Sequence, residues 1–398
     1  MPIAVPPQLT ELSPPQRLLL GPGPANVSPR VQAATLAPLL GHLDPVYLSA
    51  MNDVQAGLRY VFQTANRTTL AVAGTGSAGM EAAVCSLIEP GDVAVVGVCG
   101  YFGNRFAEVA ERCGATVVRV EGEWGRPLDT EALRKACEQH KPKLLLAVHA
   151  ETSTGILQPV PPLVAAAHDN GALLLLDTVT SLGGCPVCLD EWGVDAAYSG
   201  SQKCLGALPG LSPVSFSDRA VAAVQDRKRP VQSFYLDVPL VERYWSSERV
   251  YHHTAPITLT YALREALRLV IEEGLEARWA RHRNVSDGFR AGIRAMGLDL
   301  LVPEEQHLPQ LTTVLIPDGI DDAAVRQALL SDWNIEIGGG LGPYRGKLWR
   351  VGLMGASCTP ANALTLLDAL GQVLGKMGAD VNTGAGQVAA LEVLGGAA

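Results

Sequence analysis

The chain has 398 residues, of which 47% are apolar and 18% charged, and its formal net charge is −9. Such a length predicts one large domain with a smaller companion, and such an apolar share supports a sizeable core and argues against disorder. The acidic balance, with no cluster of Lys or Arg, argues against nucleic acid and acidic membrane surfaces as partners.

No apolar run approaches the roughly 20 residues that span a bilayer. The opening residues Met1-Pro2-Ile3-Ala4-Val5-Pro6-Pro7 lack a basic start and a continuous apolar stretch, so no signal peptide is expected. The ending Leu394-Gly395-Gly396-Ala397-Ala398 is not a peroxisomal address, and a cytoplasmic location is the default expectation. Eight cysteines are scattered through the chain, as reduced thiols would be. Cys185-Pro186-Val187-Cys188 has the C-x-x-C spacing, but no second pair exists to complete a zinc site and no helix is expected to start there.

Residues 1–17 are rich in proline and read as an extended arm. Gly21-Pro22-Gly23-Pro24-Ala25-Asn26 follows as a turn-rich loop. Short apolar runs at 69–72, 93–96, 116–120, 143–148 and 172–176 are strand candidates, and helical patterns such as 107–112 and 130–140 lie between them. That alternation predicts an α/β fold with a mostly parallel sheet and helices on both faces. Residues 259–291 carry one long helical pattern that leaves the large domain like a spine. Strand candidates at 310–316 and 347–352 then begin a smaller α+β region. The expected division is an arm over 1–17, a large domain over 18–277, a small domain over 278–376 and a weakly specified Gly/Ala-rich tail over 377–398.

Gly74-Thr75-Gly76-Ser77-Ala78-Gly79 is a literal G-x-G-x-x-G between a strand and a helix expected to begin near Met80. A dinucleotide site would need an acid at the end of the next strand to hold a ribose hydroxyl. That strand ends in Gly97-Val98-Cys99-Gly100, and Asp92 lies before it. The motif therefore reads as a cradle for a single phosphate, with backbone amides and the Ser77 hydroxyl facing it.

Lys203 lies in Tyr198-Ser199-Gly200-Ser201-Gln202-Lys203-Cys204-Leu205-Gly206-Ala207, whose other residues are uncharged and mostly small. Such surroundings lower an amine's pKa by desolvation and suit it to Schiff-base chemistry and proton shuttling. Asp177 ends the apolar run 172–176, where ligands bind in open α/β sheets. Alone, Asp177 reads as a helix cap and Lys203 as a solvated surface group. Together they match what pyridoxal phosphate requires: an amine for the cofactor aldehyde, and a carboxylate that keeps the pyridine nitrogen protonated so that the ring accepts electrons.

Glu151-Thr152-Ser153-Thr154-Gly155 places hydroxyls after a strand, and Tyr101-Phe102-Gly103 places aromatics after another, where one could stack on a flat ring. Tyr251-His252-His253-Thr254 offers four polar groups on one loop, although adjacent histidines do not usually face one ion. Arg350 closes the run Lys347-Leu348-Trp349. Near a pocket it would receive a carboxylate in bidentate fashion, whereas the sequence alone favours a surface ion pair.

Taken together, Gly21 to Asn26, Asp177, Ser201-Gln202-Lys203, Tyr251 to Thr254 and Arg350 resemble the class V aminotransferases, within them the alanine–glyoxylate/serine–pyruvate group. The resemblance runs from about residue 17 to 375 and is most specific at Leu19-Leu20-Gly21-Pro22-Gly23-Pro24, Thr154-Gly155-Ile156-Leu157-Gln158-Pro159, Tyr198 to Lys203, Val250 to Thr254 and Gly339-Gly340-Leu341-Gly342-Pro343. It implies a fold-type I homodimer with active sites at the subunit interface and pyridoxal 5'-phosphate as cofactor. Lys203 would carry the cofactor, Asp177 would pair with its ring nitrogen and Phe102 would stack on the ring. Gly76, Ser77 and Gln202 would contact the phosphate, with Tyr251 and Thr254 reaching over from the partner subunit. Thr152 and Val179 would flank the ring, and Arg350 would bind the substrate carboxylate.

The resemblance also implies ping-pong transfer from a small amino acid, alanine or serine, to glyoxylate or pyruvate. The chain departs from the pattern in having Phe102 for a frequent Trp, Ser77 for a common His and Thr152 for Ser. A cysteine desulfurase on the same fold would need a nucleophilic Cys on a loop well after the lysine, and none occurs between Cys204 and Cys358. A transaminase of aminophosphonates stays open, because a guanidinium also binds phosphonate. A nicotinamide dehydrogenase is weakened by the missing acid.

Overall fold

The computed structural model describes residues 9–396. Seven strands form the central sheet: β1 (Thr68–Ala73), β2 (Val93–Val98), β3 (Thr116–Glu121), β4 (Leu144–Val148), β5 (Leu173–Asp177), β6 (Ala196–Tyr198) and β7 (Leu211–Phe216). Their spatial order is β1-β7-β6-β5-β4-β2-β3. β7 runs antiparallel to β1 and β6, and the pairs β2–β3, β2–β4, β4–β5 and β5–β6 are parallel. Every residue of β4 and β5 is buried, which is why these strands read as unbroken apolar runs: helices cover a parallel sheet on both faces.

β7 escapes the sequence reading because Pro213 sits inside it, and proline usually marks an edge strand or none. Here Pro213 pairs with Ala71, while its carbonyl accepts from Ser199 N at 2.7 Å, so the missing N–H is tolerated in the sheet. Helix α1 (Gly76–Leu87) follows β1 and α2 (Tyr101–Arg112) follows β2. α1 begins at Gly76 and not near Met80, so the glycine-rich motif is itself the first turn.

The expected single helix over 259–291 is two helices, α3 (Ile257–Glu273) and α4 (Leu275–Ala295). Gly274 separates them at φ 81°, in the region that favours glycine. A lone glycine inside a helical pattern does not reveal such a break.

The smaller sheet holds β8 (Leu311–Leu315), β9 (Gly338–Gly339) and β10 (Leu348–Gly352) in the order β8-β10-β9, all antiparallel. It packs with α4 and α5 (Pro360–Lys376) around a second core that includes Phe289, Trp349, Leu366 and Leu370. Leu20 belongs to this core, and Leu18–Leu19 pairs with Ile335–Glu336. The stretch expected to open the large domain at residue 18 therefore starts on the small one, and the expected boundary at 277 falls in the first turn of α4. Residues 9–17 have no regular structure and are mostly exposed, while 1–8, the rest of the expected arm, lie outside the described residues.

The tail read as weakly specified forms α6 (Thr383–Gly395) against α4 and α5. Its glycines serve close packing: a Cβ on Gly292 would lie 3.0 Å from Gly386 O, and one on Gly386 2.9 Å from Gly292 O. Glycine-rich composition looks like a linker until the facing helix is known.

Candidate active site

The carboxyl ends of β1, β2, β4, β5 and β6 converge on one cavity of about 180 Å³, where ligands bind in open α/β sheets. Eight of the residues singled out from the sequence line it: Gly76, Ser77, Phe102, Thr152, Asp177, Val179, Gln202 and Lys203. Thr75, Arg105, Thr180 and Tyr198 line it as well. Tyr251, Thr254 and Arg350 do not.

Asp177 is the last residue of β5 and sits directly opposite Tyr198, the last of β6. One carboxylate oxygen accepts from Val179 N at 2.8 Å, and the other accepts from the Tyr198 hydroxyl. Asp177 is buried without an ion pair among the described residues, so desolvation pushes its pKa up to about 6 against the pull of those two hydrogen bonds. A carboxylate in this condition is stabilised by any cation that enters the cavity.

Lys203 follows β6 on the loop closed by Gly206 N to Lys203 O at 3.0 Å. Its side chain keeps some accessible surface because it faces the cavity, yet the packing round the amine lowers its pKa to about 8, mainly by desolvation. The amine donates to Pro22 O. At Gly23, φ is +100° and any Cβ would fall on the Lys203 side chain, so the Gly21 to Asn26 loop lies directly over the lysine.

α1 brings the amides of Gly76 and Ser77, which precede any intrahelical acceptor, to one end of the cavity. A Cβ on Gly76 would meet Val179 at 3.2 Å, a tight contact, so the two walls approach closely here. Beside them Gln202 Oε1 is buried with no hydrogen-bond partner. Phe102 stands one residue into α2, edge-on to Tyr101 at 5.5 Å, with the Arg105 guanidinium 5.1 Å from each ring.

Glu151 was not singled out from the sequence, yet it organises this wall. Gly100 offers no side-chain cap to α2, and Glu151, with no exposed surface, accepts from Phe102 N at 3.1 Å, Gly103 N at 3.2 Å and Ser153 Oγ at 2.6 Å. Burial pushes its carboxyl upward. Tyr198 and Arg105 were missed too, because strand register and helix phase place them, and no local motif does.

Arg350 is the middle residue of β10, 8% exposed, and makes no ion pair among the described residues; the surface ion pair favoured by sequence alone is overturned. Its Nε donates to Gly339 O at 2.7 Å and Nη1 to Thr152 O at 3.3 Å, which ties the small domain to the cavity wall. Burial lowers its pKa to about 10, with Glu151 opposing, so it is cationic at neutral pH. Tyr251 is 54% exposed and Thr254 is exposed, with the two hydroxyls 3.3 Å apart on the outer surface. One chain does not bring them to Lys203.

These features fit pyridoxal phosphate: a desolvated amine, a buried carboxylate without an ion pair among the described residues and a glycine cradle with free amides, all on one cavity. The fold and site define a fold-type I transferase. The Aminotransferase class-V family matches residues 40–343. The chain is 41% identical to the (S)-ureidoglycine–glyoxylate transaminase of Bacillus subtilis over 401 residues, covering 96% of each. The alanine–glyoxylate aminotransferase structure from Nostoc sp. superposes with a TM-score of 0.91 at 52% identity, covering 92% of this chain and 97% of that one. The pyridoxamine–pyruvate aminotransferase structure from Mesorhizobium loti gives a TM-score of 0.90 at 30% identity, covering 96% and 97%.

The chain belongs to the class V aminotransferases, which depend on pyridoxal 5'-phosphate.

Proposed function

We propose that this enzyme moves the amino group of a small amino acid, alanine or serine, to glyoxylate or pyruvate by a ping-pong mechanism. The observation that carries this reading is the shared cavity of Lys203 and Asp177, with Arg350 buried and unpaired beside its Thr152 wall. The similar chains act on glyoxylate or pyruvate by name, which supports the choice of acceptor.

Lys203 would hold the cofactor, and Gly76, Ser77 and Gln202 would face its phosphate. Bound there, the cofactor supplies an aldehyde carbon for the amino group and an electron-poor ring. Asp177 would keep a proton on the ring nitrogen, and Tyr198 orients Asp177. Phe102, whose backbone amide is held by Glu151, would pack against the ring. Arg350 orients the substrate carboxylate. Lys203 Nζ, with its pKa near 8, is partly unprotonated at neutral pH and takes the proton from the substrate Cα. Later it returns a proton as general acid.

We further propose a homodimer in which Tyr251 and Thr254 complete the partner's phosphate site. Their exposure, alongside Phe234 at 69%, supports this. A cytoplasmic, reducing location suits eight free thiols, most of them buried.

A half-reaction screen tests the function. Alanine or serine should bleach the visible band of the purified enzyme, and glyoxylate or pyruvate should restore it. If no small 2-amino acid alters the band, while 2-aminoethylphosphonate does, the aminophosphonate reading replaces this one.

A further inference from the structure

Outside the cavity, α4 leaves the large domain with three polar side chains on its first turns. Arg278 is 5% exposed and does not line the cavity. Its Nε donates to Gly183 O at 3.0 Å and its Nη2 to Cys204 O at 2.6 Å. Gly183 is on the loop that follows Asp177, and Cys204 directly follows Lys203. The two backbones touch at this point, since a Cβ on Gly183 would lie 3.5 Å from Cys204 O. One planar guanidinium thus grips both loops from behind the site.

Arg278 is itself held. Its Nη1 lies 2.6 Å from Glu273, the last residue of α3, and the same carboxylate takes Arg281 Nε at 2.6 Å. Arg281 Nη1 donates to Gly355 O at 3.1 Å and Cys358 O at 2.7 Å. His282 accepts from Gly355 N at 3.1 Å through Nε2, which places its own proton on Nδ1, 2.8 Å from Arg278 O. The turn they hold, from Gly355 to Cys358, follows β10, the strand of Arg350. Glu273 is therefore shared between the carbonyls behind Lys203 and the turn behind Arg350.

We propose that Arg278 is a positioning residue for amino transfer: it fixes the Lys203 loop against the Asp177 loop, and Glu273 links that spacing to the small-domain turn. This rests on the transaminase reading. Apolar packing would hold the loops together with little directional preference, whereas two hydrogen bonds from one rigid fork fix their separation and register. A buried charge with this partner set is a costly way merely to fill space. The charged and titratable groups facing Arg278 are Glu273, Arg281 and Cys204; those facing Lys203 are Asp177, Arg350 and Cys204.

The test uses the cofactor-loaded enzyme and Arg278→Met, which keeps the apolar stem, with Arg278→Lys as the conservative variant. Three quantities are measured: the pH midpoint of the visible absorbance band, kcat and KM for the amino donor, and the melting temperature. Loosening the loop admits water to Lys203 and relieves its desolvation, so the midpoint should rise in Arg278→Met, with kcat falling by up to about 100-fold and KM changing less. Arg278→Lys should recover part of both. A folded Arg278→Met with a lower melting temperature but wild-type midpoint and kcat overturns the proposal. Should Arg278→Met not fold, Arg278→Lys and Glu273→Gln decide it: wild-type midpoints and kcat in both overturn it. Absence of any visible band in the wild-type enzyme would instead overturn the transaminase reading.

Discussion

The Tyr198 hydroxyl donates a hydrogen bond to Asp177 at the ends of two adjacent parallel strands, and both residues are buried. This bond stabilises the ionised carboxylate, which desolvation opposes. Tyr198→Phe removes it and leaves the ring in place. A hydrogen bond to a charged group contributes about 1.5–3 kcal/mol, so cofactor affinity should fall about 10- to 100-fold. Absorbance titration of the cofactor-free protein measures it; unchanged affinity would mean that Asp177 needs no support from Tyr198.

Asp177 also makes a prediction about stability. Its folded pKa is raised from 3.8 to about 6, so without the cofactor the native state is penalised as pH rises through 6, and the penalty vanishes below about 4. Fully developed, a shift of that size corresponds to about 3 kcal/mol. Asp177→Asn should therefore abolish transamination and yet stabilise the cofactor-free protein by up to about 3 kcal/mol at pH 8, less at pH 5. Denaturant unfolding at the two pH values checks this. A destabilised Asp177→Asn at pH 8 would show that hydrogen bonding to the carboxylate outweighs its desolvation.

What the sequence reveals and hides here has physical causes. β4 and β5 are legible because strands covered on both faces must be apolar throughout. Lys203 and Asp177 are legible because a lysine among small uncharged residues and an acid closing an apolar run are unusual in themselves. The start of α1 is misplaced because Gly74 to Gly79 looks like a loop, although Gly76 is already helical. Glu151 and Tyr198 stay hidden because their partners come from α2 and from strand register, which one sequence does not encode locally. The burial of Arg350 depends on β9 and the Thr152 segment closing round it, neither of which is near it in sequence.

Arg350 should act on substrate binding and not on the cofactor. Its guanidinium is buried without an ion pair among the described residues and lies against the Thr152 wall of the cavity, so a substrate carboxylate reaching it would gain a charge-assisted contact. Arg350→Ala should raise KM for the amino donor about 10- to 100-fold and leave the visible band intact. Steady-state kinetics with spectra of the same sample separate the two effects. An unchanged KM would remove Arg350 from the substrate site.

Tyr251 and Thr254 lie on the surface of one chain, away from the cavity that the resemblance assigns them to, so their contribution should come from the partner. Mixing chains that carry Lys203→Ala with chains that carry Tyr251→Phe decides this. If Tyr251 acts across the interface, each mixed dimer holds one site with both lesions and one with neither. Half of the dimers in an equal mixture are mixed, so activity should exceed the average of the two parents by up to about a quarter of wild type, as twofold symmetry requires. If Tyr251 serves the Lys203 of its own chain, every site carries a lesion and mixing restores nothing. Activity measured before and after subunit exchange distinguishes the outcomes, and a mixture that stays at the parental average would refute the shared site.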